Sequence, residues 1–237
     1  FSVKIWVLSC FLYRNDENKF IDISDGAGII RNTIGYGLGV TTSDLNNDGL
    51  IDIYVCNDYL EHDYLYINQG DGKFDEQIHS NMKHTSNFSM GVDAADFNND
   101  GLVDIFVADM AAADNYRTKV NMSGMAPKKF WKAVDDGFHF QYMYNTVNLN
   151  IGNGSFSDVA QLTGMAQTDW SWSPLVADFD NDGLKDVYVS NGLRKEARNN
   201  DFTKYKKKKL MEMEHSPVEK QIQILKTIIF RQNIYFN

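Results

Sequence analysis

The sequence is poor in cysteine, in long hydrophobic runs and in positive charge, and each shortage argues against a class of protein. Its 237 residues include only two cysteines, Cys10 and Cys56, which cannot form a disulfide framework and lie too far apart for a zinc knuckle. No apolar run approaches the ~20 residues that cross a bilayer, so we expect no transmembrane segment. Lysine and arginine number 23 against 32 acidic residues. A general nucleic-acid binder is therefore not expected, because phosphate contacts need clustered cations.

Glutamate is also scarce, since the acidic residues are 25 aspartates and only 7 glutamates. Aspartate is typical of turns and metal-binding loops, because its short side chain bonds nearby backbone groups. The charge is unevenly distributed: residues 1–193 hold 12 basic and 27 acidic groups, and residues 194–237 hold 11 and 5. We therefore expect an acidic body, with enough hydrophobic residues (43%) to build a core, and a separate basic tail.

The aspartates recur in three segments that align without gaps and follow the pattern D-x-[DN]-x-D-G-L-x-D. The segments are 44–52, 96–104 and 178–186. Each precedes an alternating stretch of β-branched and aromatic residues, such as Ile53-Tyr-Val-Cys56, which predicts a strand. A second recurring motif, of which Leu65-Tyr-Ile-Asn-Gln-Gly-Asp-Gly-Lys-Phe74 is one copy, predicts a hairpin around an Asp-Gly turn.

One repeat therefore consists of a strand, an Asp loop, a second strand and a hairpin. Four short antiparallel strands with a period of ~40–50 residues are typical of a propeller blade. We predict an all-β fold, a partial β-propeller of about two full blades and two partial ones, with a short helical insertion and a helical C-terminal tail. A propeller closes with ~4–8 blades, so we expect a fragment of a longer propeller, whose remaining blades are its partners.

The predicted boundaries follow the repeats. Residues 1–35 are the end of a preceding blade, and residues 200–237 are the basic helical tail. Between them we predict a blade over 36–88 with loop 44–52, a blade over 89–167 with loop 96–104 and helical insertion 111–141, and the first hairpin of another blade over 168–199 with loop 178–186.

The three Asp loops are predicted to bind calcium, which takes about six to eight oxygen ligands. Positions 1, 3, 5 and 9 of such a loop can aim side-chain oxygens at one centre, position 7 can add its carbonyl, and a glycine at position 6 allows the sharp turn. We expect about three calcium ions, with structural roles. The predicted ligands, with each leucine acting through its carbonyl oxygen, are Asp44, Asn46, Asp48, Leu50, Asp52, Asp96, Asn98, Asp100, Leu102, Asp104, Asp178, Asp180, Asp182, Leu184 and Asp186.

Three alternatives to these calcium loops are less favoured. An EF-hand needs a glutamate at position 12 and flanking helices, whereas position 12 is here a valine within a predicted strand (Val55, Val107 and Val189). The loops could also be plain Asp-rich turns. However, three or four carboxylates within nine residues repel one another when no cation is bound. Magnesium is disfavoured because it prefers fewer carboxylates and keeps its waters.

With these loops, the chain resembles the FG-GAP/VCBS repeat proteins, whose calcium loops also occur in integrin α-subunit propellers. Residues 57–68, 137–143 and 168–180 are similar to bacterial proteins that carry VCBS repeats with an ASPIC/UnbV domain, relatives of cartilage acidic protein. The ASPIC/UnbV segment itself is not evident. The resemblance implies a β-propeller, calcium in the loops and a secreted or cell-surface location, such as the bacterial outer membrane. It implies no reaction.

Two classes of function fit these features. One is a calcium-stabilised module that binds a protein or glycan ligand, for example in adhesion; a purely structural segment differs from it only in lacking a partner. The other is a propeller-based polysaccharide lyase or hydrolase whose catalytic residues are not evident. The sequence has no Gly-x-Ser-x-Gly motif and no sialidase-like Asp box, and its histidines, His62, His79, His84, His139 and His215, share no common spacing. We therefore expect a binding module and no enzyme.

Aromatic and methionine residues outside the loops have two interpretations. In the insertion, the side chains of Met122, Met125, Phe130 and Trp131 can line a ligand pocket, but packing of the insertion onto the blades is the preferred interpretation. Trp170 and Trp172 can form a carbohydrate-stacking platform, but a place in a blade core is preferred.

The two ends of the chain are also ambiguous. The lysine run 204–209 can bind an anionic surface, but a solvated helix face is the preferred interpretation. The stretch before Cys10 resembles the end of a lipoprotein signal, but a broken upstream strand is preferred.

Overall fold

The computed structural model describes residues 10–121, 126–192, 199–214 and 216–235. The candidate lipidation signal before Cys10, together with Met122, Met125 and His215, therefore lies outside the described residues. No helix in the described part of the chain is long and apolar enough to cross a membrane. The described chain is mostly β, as predicted, with helices in the insertion and the tail.

The first half of the chain forms a hairpin followed by a four-stranded sheet. The hairpin joins β1 (Tyr13–Asp16) and β2 (Lys19–Asp22), and a short helix α1 (Ser24–Ala27) follows it. The strands of the first sheet follow the order of the chain, and each pairs antiparallel with the next. They are β3 (Gly37–Ser43), β4 (Asp52–Asn57), β5 (Tyr64–Asn68) and β6 (Phe74–Glu76). The first Asp loop connects β3 to β4.

The second sheet repeats this arrangement with an insertion. After α2 (Ile78–Asn81) and β7 (Thr85–Ser86), the strands β8 (Ser89–Ala95) and β9 (Asp104–Asp109) flank the second Asp loop. The insertion then contributes α3 (Asn115–Asn121), α4 (Pro127–Asp135) and β10 (Gln141–Tyr142), which pairs parallel with β7. The sheet is completed by β11 (Thr146–Asn150) and β12 (Phe156–Asp158), and α5 (Ala160–Thr163) follows.

The last part of the chain contains one more hairpin and two helices. The third Asp loop connects β13 (Ser171–Ala177) to β14 (Asp186–Asn191), which pair with each other. The tail consists of α6 (Asn200–Glu214) and α7 (Val218–Tyr235), which pack together through Phe202, Ile224 and Ile228. The lysines at 204, 206, 207 and 208 are exposed on α6.

The core is divided between the faces of the sheets, because successive strand residues point to opposite faces. Tyr54 and Cys56 of β4 pack toward Ile105 and Val107 of the second sheet. Val55, which lies between them in the sequence, instead packs with the residues around α1. The opposite face of the second sheet packs against valines of β13 and β14. The sheets are therefore layered face to face, with the second sheet packed between the first sheet and the hairpin of β13 and β14.

The first strands of the three repeats, β3, β8 and β13, lie side by side. A Cβ atom on Gly39 would lie 2.9 Å from the Cα of Gly91, and one on Gly91 would lie 2.4 Å from the carbonyl oxygen of Trp172. These glycines are thus needed for close backbone approach.

Candidate metal centres

The first Asp loop is closed by hydrogen bonds from its own backbone. The N–H groups of Asp48 and Gly49 donate to the two carboxylate oxygens of Asp44 at 3.0 and 2.8 Å. Asp48 N–H also approaches Asn46 Oδ1 at 3.1 Å, and Asn46 Nδ2 donates to Asp48 at 2.9 Å. The side chains at positions 1, 3 and 5 therefore surround one small volume at the tip of the loop.

The second loop has the same geometry, with bonds from Asp100 N–H to Asp96 and to Asn98 at 3.0 Å each. It is also tied to the third loop, because Asn99 Nδ2 donates to the carbonyl oxygen of Gly183 at 2.9 Å. In all three loops, the leucine at position 7 donates its N–H at 2.8 Å to the aspartate at position 5; these leucines are Leu50, Leu102 and Leu184.

The third loop contains the densest cluster of carboxylates. Asp178, Asp180 and Asp186 each offer an oxygen, and these three oxygens lie within 4.8 Å of one another. Asp182 completes the loop through N–H bonds to Asp178 and Asp180 at 3.1 and 3.2 Å. Because position 3 is here an aspartate, this loop lacks the amide donor that Asn46 supplies in the first. Oxygen ligands at this density suit a hard divalent cation.

The aspartate at position 9 has a second role in the first loop. Asp52 is fully buried, and its two oxygens accept the N–H groups of Leu45 and Asn68 at 2.8 Å each. Burial raises the pKa of Asp52, and the nearby carboxylates of Asp48 and Asp44 raise it further. The carboxylate therefore joins the loop to the end of β5, whatever share it takes in binding a cation.

Asp104 repeats this arrangement, since it is fully buried and accepts the N–H groups of Phe97 and Asn150 at 2.8 Å each. Asp186 differs from both. It is exposed, accepts one such bond from Phe179 at 3.0 Å, and belongs to the carboxylate cluster of its loop. The predicted ligands at position 9 thus differ: Asp52 and Asp104 are buried in backbone hydrogen bonds, whereas Asp186 belongs to the carboxylate cluster. Calcium binding by the predicted ligands stays a prediction.

Position 4 of the loops also contributes to their shape, although the motif leaves this position unspecified. Asn47, Asn99 and Asn181 all adopt left-handed backbone conformations, with φ between 59° and 63°. Asparagine tolerates this conformation better than most residues, and the glycine at position 6 adopts it as well. The sequence signal was present, because the residue is asparagine in all three copies.

Three histidines, His62, His79 and His139, lie close together in the fold, although their spacing in the sequence did not predict this. The ring centroids of His62 and His79 lie 4.8 Å apart, and those of His79 and His139 lie 4.4 Å apart. His62 Nδ1 is buried without a hydrogen-bond partner among the described residues, 3.8 Å from Glu61. Among the histidine, cysteine, aspartate and glutamate side chains of the described residues, three mutually close ligand atoms occur only in the third Asp loop, so the histidines form a contact cluster rather than a ready metal site.

Burial lowers the pKa of His62 and of His139 to about 4. The neighbouring imidazoles of His79 and His139 add to the shift of His62, and that of His79 adds to the shift of His139. Both rings are therefore neutral near pH 7. His84 lies apart from them, 3.1 Å from Asp158.

The other aromatic candidates separate into buried and exposed residues. Trp170 is buried, whereas Trp172 is 46% exposed. In the insertion, Phe130 stacks on Tyr142 with centroids 5.5 Å apart, and Trp131 is 56% exposed.

Comparison with known proteins identifies the repeats. The model of the FG-GAP-like repeat family matches residues 44–107 and 135–189, together about half of the chain and including all three Asp loops. This chain belongs to the FG-GAP-like repeat family. Cartilage acidic protein 1 of Xenopus tropicalis is 29% identical to it over 188 residues, which are 77% of this chain and 25% of that protein. The chain spans about a quarter of the length of this curated relative. The likeness to bacterial VCBS and ASPIC/UnbV proteins stays a prediction.

Proposed function

We propose that this chain is a calcium-binding segment of a β-propeller in a secreted or cell-surface protein, and that it serves in adhesion or ligand binding. The observation that carries the proposal is the cluster of Asp178, Asp180 and Asp186 in a loop whose pattern occurs three times. About three calcium ions would bind in the loops, where they would neutralise the negative charge of the clustered aspartates.

The propeller is supported by the layered sheets and by the adjacent first strands. Two complete four-stranded sheets lie between two hairpins, β1–β2 and β13–β14. The outer hairpin leaves Trp172, Leu175 and Tyr188 largely exposed, which fits a surface that further blades of a longer protein would cover. The rest of that propeller is thus the first partner that we propose.

The loop chemistry favours binding over catalysis. Each loop carboxylate at position 1 accepts two backbone N–H bonds, so these groups are held in place by the loop rather than poised as acids or bases. An external location follows from the proposed ions, because loops of this kind in extracellular modules are often weak, with Kd ~10⁻⁴–10⁻³ M, and fill where calcium is plentiful.

The test is a calcium titration by calorimetry, combined with thermal unfolding in calcium and in chelator. We expect about three sites and a melting temperature that rises with calcium concentration. Asp180→Asn should weaken the third site several-fold, because it removes one of three clustered charges. A folded chain that binds no calcium and melts identically under both conditions would refute the proposal.

A further inference from the structure

A cavity of about 230 Å³ lies where the insertion meets the two sheets. Its walls come from three places: the loop after β4 (Tyr59), the residues before β8 (Asn87 and Phe88), and the insertion (Phe130 and Gln141). Because β4 begins at an Asp loop and β8 ends at one, this cavity lies at the opposite ends of the strands from the candidate calcium loops.

Gln141 lines the cavity, and one of its polar atoms has no partner among the described residues. Gln141 is 6% exposed, and its Nε2 donates to the carbonyl oxygen of Leu60 at 2.9 Å, which fixes the orientation of the amide. Its Oε1 is buried with no hydrogen-bond partner among the described residues. A buried acceptor without a donor costs about 1–3 kcal/mol. A ligand in the cavity whose donor group reaches this oxygen would remove this cost.

Three of the residues that line the cavity are aromatic, namely Tyr59, Phe88 and Phe130, and their rings contact other aromatic rings. Phe130 stacks on Tyr142, and the rings of Tyr59 and Phe88 meet edge to face at 6.3 Å. Tyr59 is 57% exposed. Its backbone is in the left-handed region, with φ of 72°. Such a conformation is unfavourable for an aromatic residue and is often associated with function. Gln141 belongs to β10, which is held in place by its pairing with β7.

These features point to a particular chemistry, and we propose that this cavity binds one sugar ring of a glycan. A pyranose ring has an apolar C–H face that packs on aromatic rings and hydroxyl groups that donate to Gln141 Oε1. A phenylalanine or leucine side chain of a peptide would pack equally well but has no donor for that oxygen. The volume is below the ~300–1,000 Å³ of sites for drug-sized ligands, which suits a single ring. This inference rests on the proposed binding function and assigns it to a site separate from the loops.

The experiment uses the calcium-loaded chain and three soluble probes: cellotetraose, chitotetraose and tetragalacturonate. Binding is followed by amide chemical shifts in two-dimensional NMR spectra and by calorimetry, up to about 10 mM probe to include millimolar sites. We expect at least one probe to bind and to shift the amides of His139 and Gln141. Phe130→Leu and Gln141→Met should each weaken that binding by about tenfold or more.

A matched control is available on the same helix, because Trp131 adjoins Phe130 but does not line the cavity. Trp131→Leu should leave the affinity within about twofold of the wild type. The inference is overturned if no probe binds, if Phe130→Leu and Trp131→Leu have equal effects, or if Trp172→Leu alone abolishes binding. Binding of phenylalaninamide in the cavity in place of all three sugars would also overturn it, in favour of a peptide.

The calcium titration on the same sample separates the two proposals. Calcium binding without sugar binding overturns the glycan site alone. Sugar binding without calcium binding supports the glycan site and overturns the calcium module.

Discussion

Asp63 and Asn145 occupy the same position in the first and second sheets. Each accepts the N–H of the residue that ends the preceding long strand: Asn57 N–H donates to Asp63 at 2.8 Å, and Asp109 N–H donates to Asn145 at 2.7 Å. Acid and amide have thus exchanged places between the sheets, and the hydrogen bond is retained. Burial raises the pKa of both Asp63 and Asp109 to about 7, so each holds a proton below neutral pH.

Replacement of Asp63 tests this equivalence. Asp63 is fully buried and also accepts the hydroxyls of Tyr54 and Ser89 at 2.8 and 2.9 Å. We expect Asp63→Ala to lower the free energy of unfolding by about 2–4 kcal/mol, because three donors lose their acceptor. Asp63→Asn should cost less than about 1 kcal/mol, since Asn145 shows that an amide fits this position. Urea unfolding measures both, and equal losses in the two variants would contradict the equivalence.

We expect Asp52 and Asp48 of the first loop to differ in whether they stabilise the fold without calcium. Asp52→Asn is expected to lower the unfolding free energy by about 1–3 kcal/mol even in chelator, because the buried carboxylate accepts two backbone bonds. Asp48→Asn should change it by less than about 0.5 kcal/mol in chelator, because Asp48 is exposed, and should act only when calcium is present. Unfolding curves with and without calcium give the comparison. A loss for Asp52→Asn confined to calcium-containing buffer would make Asp52 a ligand first and a structural residue second.

Gly91 should tolerate no side chain. A Cβ at this position would lie 2.4 Å from the carbonyl oxygen of Trp172, so Gly91→Ala must displace β13 from β8. We expect a loss of about 1–3 kcal/mol, the usual cost of overpacking. Gly26→Ala is the matched control, because a Cβ there has no neighbour within 4 Å. The unfolding free energies of the two variants, measured in urea, should differ by this loss. Similar urea midpoints would show that β8 and β13 can move apart at little cost.

The histidine cluster should make the fold sensitive to acid. The pKa of His62 and His139 is about 4 in the folded chain and ~6.5 in the unfolded chain. Between these values only the unfolded chain binds the protons, so each histidine lowers stability as the pH falls from ~6.5 to ~4, by at most about 3 kcal/mol. His62→Gln should reduce this loss.

The contribution of His62 to the pH dependence of stability is obtained as the difference in unfolding free energy between His62→Gln and the wild type. Asp63 and Asp109 have raised pKa values, so they stabilise the folded chain as the pH falls over nearly the same range and oppose the histidines. Both aspartates are present in wild type and in His62→Gln, so their contributions cancel in the comparison. Unfolding free energies at several values between pH 4 and pH 7 check the prediction, and parallel curves for the two proteins would contradict it.

The sequence was sufficient to predict what repeats locally. The Asp loops, the strand after each and the helices of the tail all depend on residues close in the chain, and their periodicity or turn chemistry is visible in the sequence. Asn47 was one local feature that the motif left out, although asparagine recurs at this position in each loop.

Features that depend on distant parts of the chain could not be predicted in this way. His62 and His139 meet only because the insertion folds back over the first sheet, and nothing in their surroundings in the sequence reports that contact. The same holds for Gln141, whose amide is fixed by Leu60. The dual role of Asp52 depends on a bond to Asn68 in another strand, so a motif that assigns one role to each position could not indicate it.

Asn150 connects one repeat to the next and thereby limits how the chain can be divided. Its Nδ2 donates to the carbonyl oxygen of Leu45 in the first loop at 2.8 Å, although the residue belongs to the second sheet. Ser89 likewise donates to Asp63, and Val176 N–H donates to Asp93. A cut between the sheets therefore leaves buried groups on both sides without their partners. We therefore expect the smallest piece that folds as a unit to be larger than one repeat, and sequence periodicity to be a poor guide to where a stable domain can be excised.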